Sequence, residues 1–294
     1  MTNQLGKALN AEFEKLGVRR LQTTLKTRND KGKTKLKLVL DLPGATKPEL
    51  VLSEGEQRVI AIASFFAELA VSNHTGAAVF DDPVSSLDHL RRQKVARRLV
   101  EEAKTRQVVV FTHDSVFLAE LSEAVEELEV DHLYQHLSYT PTSAGFVNEG
   151  LPWHHEGYKS RLDALGKLAR EFARNEATMD NAQSEEASRN FYARLREVIE
   201  RVVEDVVFCG VLKRYNDYVR VGNIGNAVGL TDAECKPIVD LYNYASDMLK
   251  GHDKASARQY SAPSAADTAR DLAALEGAVK TILDRRKPPA AKKN

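Results

Sequence analysis

Three short stretches of the 294-residue sequence combine residue types that could bind a phosphate group. The first is Leu52-Ser-Glu-Gly-Glu-Gln57, in which Ser53 and Glu56 have the spacing of a capping box at a helix start. A serine hydroxyl, a glycine that permits close approach and the free N–H groups of a helix N-terminus can together bind a phosphate. An ordinary helix start has the same pattern, so this stretch alone leaves both interpretations open.

The second stretch is a short apolar strand, Ala77–Phe80, which ends in Asp81 and Asp82. Ligands of parallel sheets bind at the edge formed by the carboxyl ends of the strands. Carboxylate oxygens suit Mg²⁺, and a carboxylate can also orient an attacking water molecule. The alternative is that the two acids only cap the following helix.

The third stretch, Val108-Val-Val-Phe-Thr-His113-Asp114, is a second apolar strand followed by a histidine. A single histidine after a strand is often structural or exposed. Its imidazole N–H groups could also donate a hydrogen bond to a phosphate.

Together, the three stretches resemble the signature motif, the Walker B motif with its D-loop and the switch histidine of SMC/RecF-like ABC ATPases. Within that branch they are similar to large bacterial AAA-type ATPases that occur beside nucleases in phage-defence and anticodon-nuclease systems. The motifs follow that family's order within residues 35–137. Residues 83–88 match its D-loop almost position for position. Glu54 stands at the third position of the LSGGQ or LSGGE pattern and is a common variant in this branch. The resemblance implies a P-loop NTPase fold.

The resemblance also implies a role for each motif residue, with ATP and Mg²⁺ as cofactors. Asp81 would hold Mg²⁺, Asp82 would polarise the attacking water, and His113 would contact the γ-phosphate. Five further residues would contact ATP on an opposing subunit or bridge to that subunit: Ser53, Gly55, Glu56, Ser86 and Asp88. Most ABC ATPases have Glu where this chain has Asp82, so the shorter side chain either slows hydrolysis or requires a closer backbone.

A phosphate-binding loop of the form GxxxxGK[ST] is missing from the sequence. The nearest match, Gly32-Lys33-Thr34, has Thr27 in place of the first glycine, and an alternating strand follows it where a helix is needed. The sequence therefore predicts the C-terminal lobe of an ATPase, completed by a Walker A-bearing lobe or subunit in a homodimer or heterodimer. We expect little ATP hydrolysis by the chain alone. A split or truncated gene and a true small subunit both remain open.

The predicted function is thus an ATP-binding and ATP-hydrolysing half-site, acting in trans in DNA-linked defence or repair. DNA or RNA and a nuclease effector are further predicted partners. The alternative is a non-catalytic regulatory or scaffold subunit, or a truncated gene product, that retains the ABC dimerisation surface. A nuclease in the helical end finds no support, because no nucleophile or metal cluster occurs there.

The expected fold class is α/β: a parallel-sheet lobe followed by a mainly helical region. Strands are predicted at residues 35–42, 77–80, 107–112 and 131–138, and polar residues 175–188 suggest an exposed loop. The predicted domains are an N-terminal helix and basic segment (1–34), which could be a coiled-coil remnant, an ATPase lobe (35–138), a linker (139–160), a helical region (161–286) and a flexible tail (287–294).

Composition narrows the class of protein. Basic and acidic residues balance at 42 each, so net charge predicts no polyanionic partner. Cys209 and Cys235 lie far apart, which suits free thiols in a reducing compartment. Because no signal peptide or apolar run of membrane-spanning length occurs, we expect a soluble cytoplasmic protein without membrane contact. Trp153 near Arg161 could stack on a base, although packing of a linker is the plainer interpretation.

Overall fold

The computed structural model describes residues 2–18, 23–30, 33–40, 52–72, 74–215, 219–250 and 262–286. It divides into two compact units, residues 1–134 and 135–294. The predicted flexible tail, residues 287–294, lies outside the described residues. Among the helices in the described ranges, none is long and apolar enough to cross a membrane.

In the described ranges, the first unit contains four helices and two pairs of strands. In chain order these are α1 (Thr2–Lys15), β1 (Thr23–Asp30), β2 (Lys33–Leu40), α2 (Glu54–Ser72), β3 (Ala78–Asp81), α3 (His89–Ala103), β4 (Val108–Phe111) and α4 (Ser115–Leu128). β3 and β4 are parallel, whereas β1 and β2 form an antiparallel hairpin. The α/β class predicted for this part of the chain is confirmed.

One apolar core holds α1, α2, α3 and β3 together. Its buried residues include Leu9 and Phe13 of α1, Leu16 directly after that helix, and Phe66 of α2. A buried ion pair crosses the same region, since Arg98 on α3 donates two hydrogen bonds to Glu12 on α1, at 2.6 and 3.1 Å. The predicted N-terminal helix therefore packs as an integral part of the first unit.

The second unit begins with a hairpin and continues as helices. Its elements are β5 (Gln135–Thr140), β6 (Ser143–Glu149), α5 (Tyr158–Asn175), α6 (Asn181–Val202), α7 (Ile224–Ala227), α8 (Asp232–Lys250) and α9 (Ala265–Arg286). A single π-helical turn, Val203–Val207, extends α6. The long helices α5, α6, α8 and α9 enclose a second apolar core, which confirms the mainly helical region.

Two local predictions were wrong, and one strand was not predicted. Residues 131–138 do not add a parallel strand, because β5 turns back after residues 141 and 142 and pairs antiparallel with β6; a two-residue connection permits only antiparallel pairing. The polar segment before residue 35 contains β1. Residues 181–188 belong to α6, whose first turn is capped by Asp180 and Gln183.

Candidate functional site

The two predicted catalytic residues meet at the carboxyl ends of β3 and β4. The parallel register places Asp81 opposite Phe111, so Asp82 and His113 follow neighbouring strand ends. His113 donates its backbone N–H to Asp82 Oδ1 over 3.2 Å, and its ring Nδ1 lies 2.8 Å from Asp82 Oδ2. Residues 31 positions apart therefore form one carboxylate–imidazole pair at the sheet edge.

The backbone of Asp82 adopts the left-handed conformation, with φ 41°. Its N–H donates to the Phe111 carbonyl over 2.9 Å. Its carbonyl accepts hydrogen bonds from Arg58 Nη1 at 3.1 Å and Ser85 Oγ at 3.2 Å. Non-glycine residues seldom adopt this conformation unless their surroundings hold them in it, and these three contacts do so.

The charge of Asp82 is favoured by its neighbours. Partial burial acts to raise the pKa of the carboxyl group, but hydrogen bonds from His113 and Thr112 outweigh it, so the pKa lies below its usual value. A carboxylate with a lowered pKa is ionised at neutral pH. Asp82 can therefore accept a hydrogen bond from a water molecule.

The predicted signature turn forms the N-terminus of α2. Ser53 N–H and Oγ both donate to Glu56 Oε2, at 3.0 and 2.9 Å, and Glu56 N–H donates to Ser53 Oγ over 3.3 Å. The hydrogen bond from the Ser53 backbone is the main cause of a lowered Glu56 pKa. The capping box predicted from the sequence is thus present, with Ser53 exposed to solvent.

Gly55 is where the signature turn touches the D-loop. Gly55 is buried, and a Cβ atom at this position would lie 2.6 Å from the backbone carbonyl oxygen of Ser86. Ser86 itself has φ 66° and is exposed. Any larger residue at position 55 would displace the D-loop backbone. The group that closely approaches this glycine is therefore the Ser86 carbonyl of the same chain.

Arg91 joins the same two segments through charge. Asp88 caps α3 by accepting a hydrogen bond from the Arg91 N–H over 3.0 Å. The Arg91 guanidinium lies 3.5 Å from Asp88 Oδ2 and 3.4 Å from Glu56 Oε1. The signature turn, the D-loop and the start of α3 are therefore connected by one backbone contact and two ion pairs.

A Mg²⁺ site would depend on Asp81. Its side chain is exposed at the tip of β3, and the structure contains no group of three or more His, Cys, Asp or Glu residues suited to a metal among the residues it describes. Mg²⁺ commonly binds one or two protein carboxylates and completes its shell with water and phosphate oxygens. Asp81 fits that limited role.

The structure also bears on the near-match to a phosphate-binding loop. Lys33 and Thr34 are the first residues of β2 and pair with Asp30 and Asn29 of β1. A phosphate-binding loop leads into a helix N-terminus, whereas these residues lie in a β-hairpin. Lys33 and Thr34 therefore do not have the backbone geometry of a Walker A motif.

Sequence reasoning missed the two arginines of the site. Arg58 lies on α2 one residue after the signature stretch, and Arg91 stands three residues after Asp88. The i, i+3 spacing of Asp88 and Arg91 is a signal of helix-start pairing. The contact of Arg58 with Asp82 spans 24 residues, and no local pattern reports it.

Trp153 packs against two arginines of the second unit. The guanidinium groups of Arg161 and Arg194 lie 5.1 and 4.7 Å from the centre of its ring. Its Nε1–H donates to Glu197 of α6. These contacts favour packing within the second unit over base stacking.

Fold and site together define a class: an α/β protein with acids and a histidine at the carboxyl edge of parallel strands, beside a glycine-containing helix start. The model of the AAA_13 family, described as an AAA domain, matches residues 5–272. The chain belongs to this family. A search of curated proteins gives no match.

Solved structures of SMC proteins are similar to parts of the chain. One is an SMC ATPase studied for ATP-driven dimerisation and DNA-stimulated activation, 20% identical, with a TM-score of 0.39, covering 51% of this chain and 85% of the other. The SMC head bound to the C-winged helix domain of ScpA is 20% identical, TM-score 0.40, with 50% and 43% covered. The SMC head domain from Thermotoga maritima is 19% identical, TM-score 0.34, with 51% and 48% covered. The match thus spans less than half of the latter two chains.

Proposed function

We propose that this chain supplies half of an ATP-hydrolysing site. It would contribute the signature turn, Asp81, Asp82, the D-loop and His113, while a lobe from outside residues 1–294 contributes the Walker A loop. The observation that carries the proposal is the Asp82–His113 pair, which stands beside Asp81 at the carboxyl edge of two parallel strands. Membership of the AAA domain family supports ATP as the ligand.

Each polar group of the pair has a chemical task in this proposal. The ionised Asp82 carboxylate would accept a hydrogen bond from the attacking water and so orient it. With Nδ1–H facing Asp82, the ring's Nε2 donates to a γ-phosphate only when the imidazole is doubly protonated. Mg²⁺, held in part by Asp81, would neutralise charge on the phosphates.

An uncovered apolar face supports the need for a second lobe. Val79 on β3 is 58% exposed and Phe111 on β4 is 50% exposed. Parallel sheets are normally covered on both faces, and the described residues cover only the face that contains Ala78 and Phe80. Beside it, a depression of about 510 Å³ runs between α2 and β3. We infer that the Walker A-bearing lobe packs against this face.

Steady-state ATP hydrolysis tests the proposal. The chain with Mg²⁺ alone should turn over little ATP, and adding a Walker A-bearing lobe should raise the rate. Asp82→Asn should then reduce the rate of the assembly by roughly a hundredfold or more, because it removes the charge that orients water. Glu127→Gln, on the surface of α4, provides a matched control that should keep the rate.

Two results would count against the proposal. Hydrolysis by the chain alone, at a rate typical of an intact ABC ATPase and abolished in Asp82→Asn, would show that this sequence holds its own phosphate site. An assembly whose activity is unchanged by Asp82→Asn would instead indicate a regulatory or scaffold subunit. Repeating the assay with added DNA tests the proposed role in DNA-linked defence or repair, which predicts a faster rate with DNA.

A further inference from the structure

We propose that Arg58 is a positioning residue, which fixes the Asp82–His113 pair relative to the helix that carries the signature turn. The inference deepens the proposed function, and its consequence for hydrolysis rests on that function. The starting observation is the left-handed backbone of Asp82, with φ 41°. A residue with a Cβ atom relaxes from this conformation when its peptide is free to rotate.

The hydrogen bonds of the Asp82 backbone show which residue of α2 restrains its conformation. The N–H is held by β4 through the Phe111 carbonyl. The carbonyl is held by Ser85, which lies in the same turn, and by Arg58 Nη1 at 3.1 Å. A bond within one turn moves with that turn, whereas the bond from Arg58 ties the turn to a separate helix.

The side chain of Arg58 is suited to this task. It is half-buried, and it lines the depression between α2 and β3 together with Glu54 and Asp81. A guanidinium offers five N–H donors in a rigid plane, so a nitrogen of Arg58 can bind the Asp82 carbonyl in a fixed direction. A lysine could provide the charge and one hydrogen bond, but without the planar geometry.

The orientation of the Asp82 peptide determines where its carboxylate points. In the structure Asp82 Oδ2 lies 2.8 Å from His113 Nδ1, which selects the Nδ1-protonated tautomer of the imidazole. Without Arg58, the carbonyl would keep only the Ser85 bond. We expect the peptide to rotate, the carboxylate to move away from Nδ1, and the imidazole to become a mixture of tautomers.

Nuclear magnetic resonance of the full chain with ¹⁵N-labelled histidine tests this directly. His113→Gln identifies the His113 signals. In the unmodified chain, His113 should be mainly Nδ1-protonated. Arg58→Met should shift the signals toward the mixed-tautomer position and Arg58→Lys should restore part of the shift. Arg97→Met, which removes an exposed arginine of α3, should leave the His113 signals unchanged.

The hydrolysis assay adds a second readout. In the assembly with a Walker A-bearing lobe, Arg58→Met should lower kcat by about tenfold, the effect of losing one charged hydrogen bond, with little change in KM. His113 signals that coincide in Arg58→Met and the unmodified chain would overturn the inference. If Arg58→Met does not fold, the His113 signals of Arg58→Lys must lie between those of the unmodified chain and the mixed-tautomer position for the inference to stand. Should no lobe restore hydrolysis, the proposed function fails, while the signals of His113 still decide the role of Arg58.

Discussion

Replacing Gly55 with alanine tests the contact that joins the signature turn to the D-loop. The added Cβ would lie 2.6 Å from the Ser86 carbonyl oxygen. Carbon–oxygen contacts in proteins begin near roughly 3.3 Å, so the two backbones must separate by about 0.7 Å. Since the obstacle is a backbone atom of another segment, the new methyl group cannot be accommodated by a side-chain rotation.

The size of the effect follows from two opposing contributions. Overpacking of this kind costs about 1–3 kcal/mol. Alanine is favoured over glycine inside a helix by at most about 1 kcal/mol, and less in the first turn, where Gly55 stands. The expected result is a net loss of about 1–2 kcal/mol in the first unit, which would lower the protection of its amides from hydrogen exchange about 5- to 30-fold.

Hydrogen exchange detected by mass spectrometry locates the change, because it reports α2 and residues 83–88 separately. Gly277→Ala is the matched control. Within the described residues, no atom lies within 4 Å of a Cβ at Gly277 on α9, so this variant should gain up to about 1 kcal/mol from helix propensity. Unchanged or increased protection of the D-loop in Gly55→Ala would refute the contact between Gly55 and Ser86.

Three further variants test the packing of each unit. Glu12→Gln should destabilise the first unit by about 1.5–3 kcal/mol in urea unfolding, because it removes one of the two carboxylates that bind the buried Arg98 and leaves Glu102 as the other; an unchanged free energy of unfolding would contradict a stabilising buried pair. His155 has a pKa below 6.5 because of burial and nearby Arg201. The unfolded chain therefore protonates this histidine at a higher pH than the folded chain does, so the second unit should lose stability as the pH falls below about 6.5. The fluorescence of Trp153 follows that loss, and His155→Gln should make it smaller; equal losses would exclude this histidine as a source. Asp180→Ala should cost the second unit about 1 kcal/mol in the same fluorescence assay, since it removes the cap of α6, and an unchanged midpoint would show that the cap contributes nothing.

Hydrophobic periodicity was sufficient to predict the elements that bury a continuous face. The strands β3 and β4 and the helices around them have such a face, and their order indicated an α/β fold. Strand β1, Thr23–Asp30, has no such signal because its residues are mainly polar, and its structure comes from pairing with β2. The start of α6 was missed although Asp180 and Gln183 have the spacing of a capping box. The polar composition of residues 175–188 favoured an exposed loop and obscured this signal of a helix start.

The candidate site was predictable as a set of residues but not as a set of contacts. The motifs identified Asp82, His113 and Gly55, each considered as a group that faces a ligand. In the structure these residues first contact other parts of the same chain: Asp82 binds His113, and Gly55 packs against Ser86. Such pairs lie about thirty residues apart, and only the three-dimensional arrangement of the strands and helices brings them together.

The alternation of β3 connects lobe assembly with the chemistry of the site. Ala78 and Phe80 are buried, whereas Val79 and Asp81 are exposed and point to the opposite face of the strand. A lobe that covers Val79 must therefore also approach Asp81, the predicted Mg²⁺ ligand. Under the proposed function, packing of the two lobes and completion of the phosphate site would then be a single event.

This coupling gives a final prediction. Val79→Gln should leave the chain folded, because the side chain is 58% exposed. It should weaken association with a Walker A-bearing lobe, measured by sedimentation, and lower ATP hydrolysis in proportion, since an amide would be buried without a partner at about 1–3 kcal/mol. Val239→Gln, at an exposed position on α8, is the control. If Val79→Gln associates and hydrolyses ATP normally, the Walker A-bearing lobe does not pack on this face, and the phosphate site must be completed from another direction.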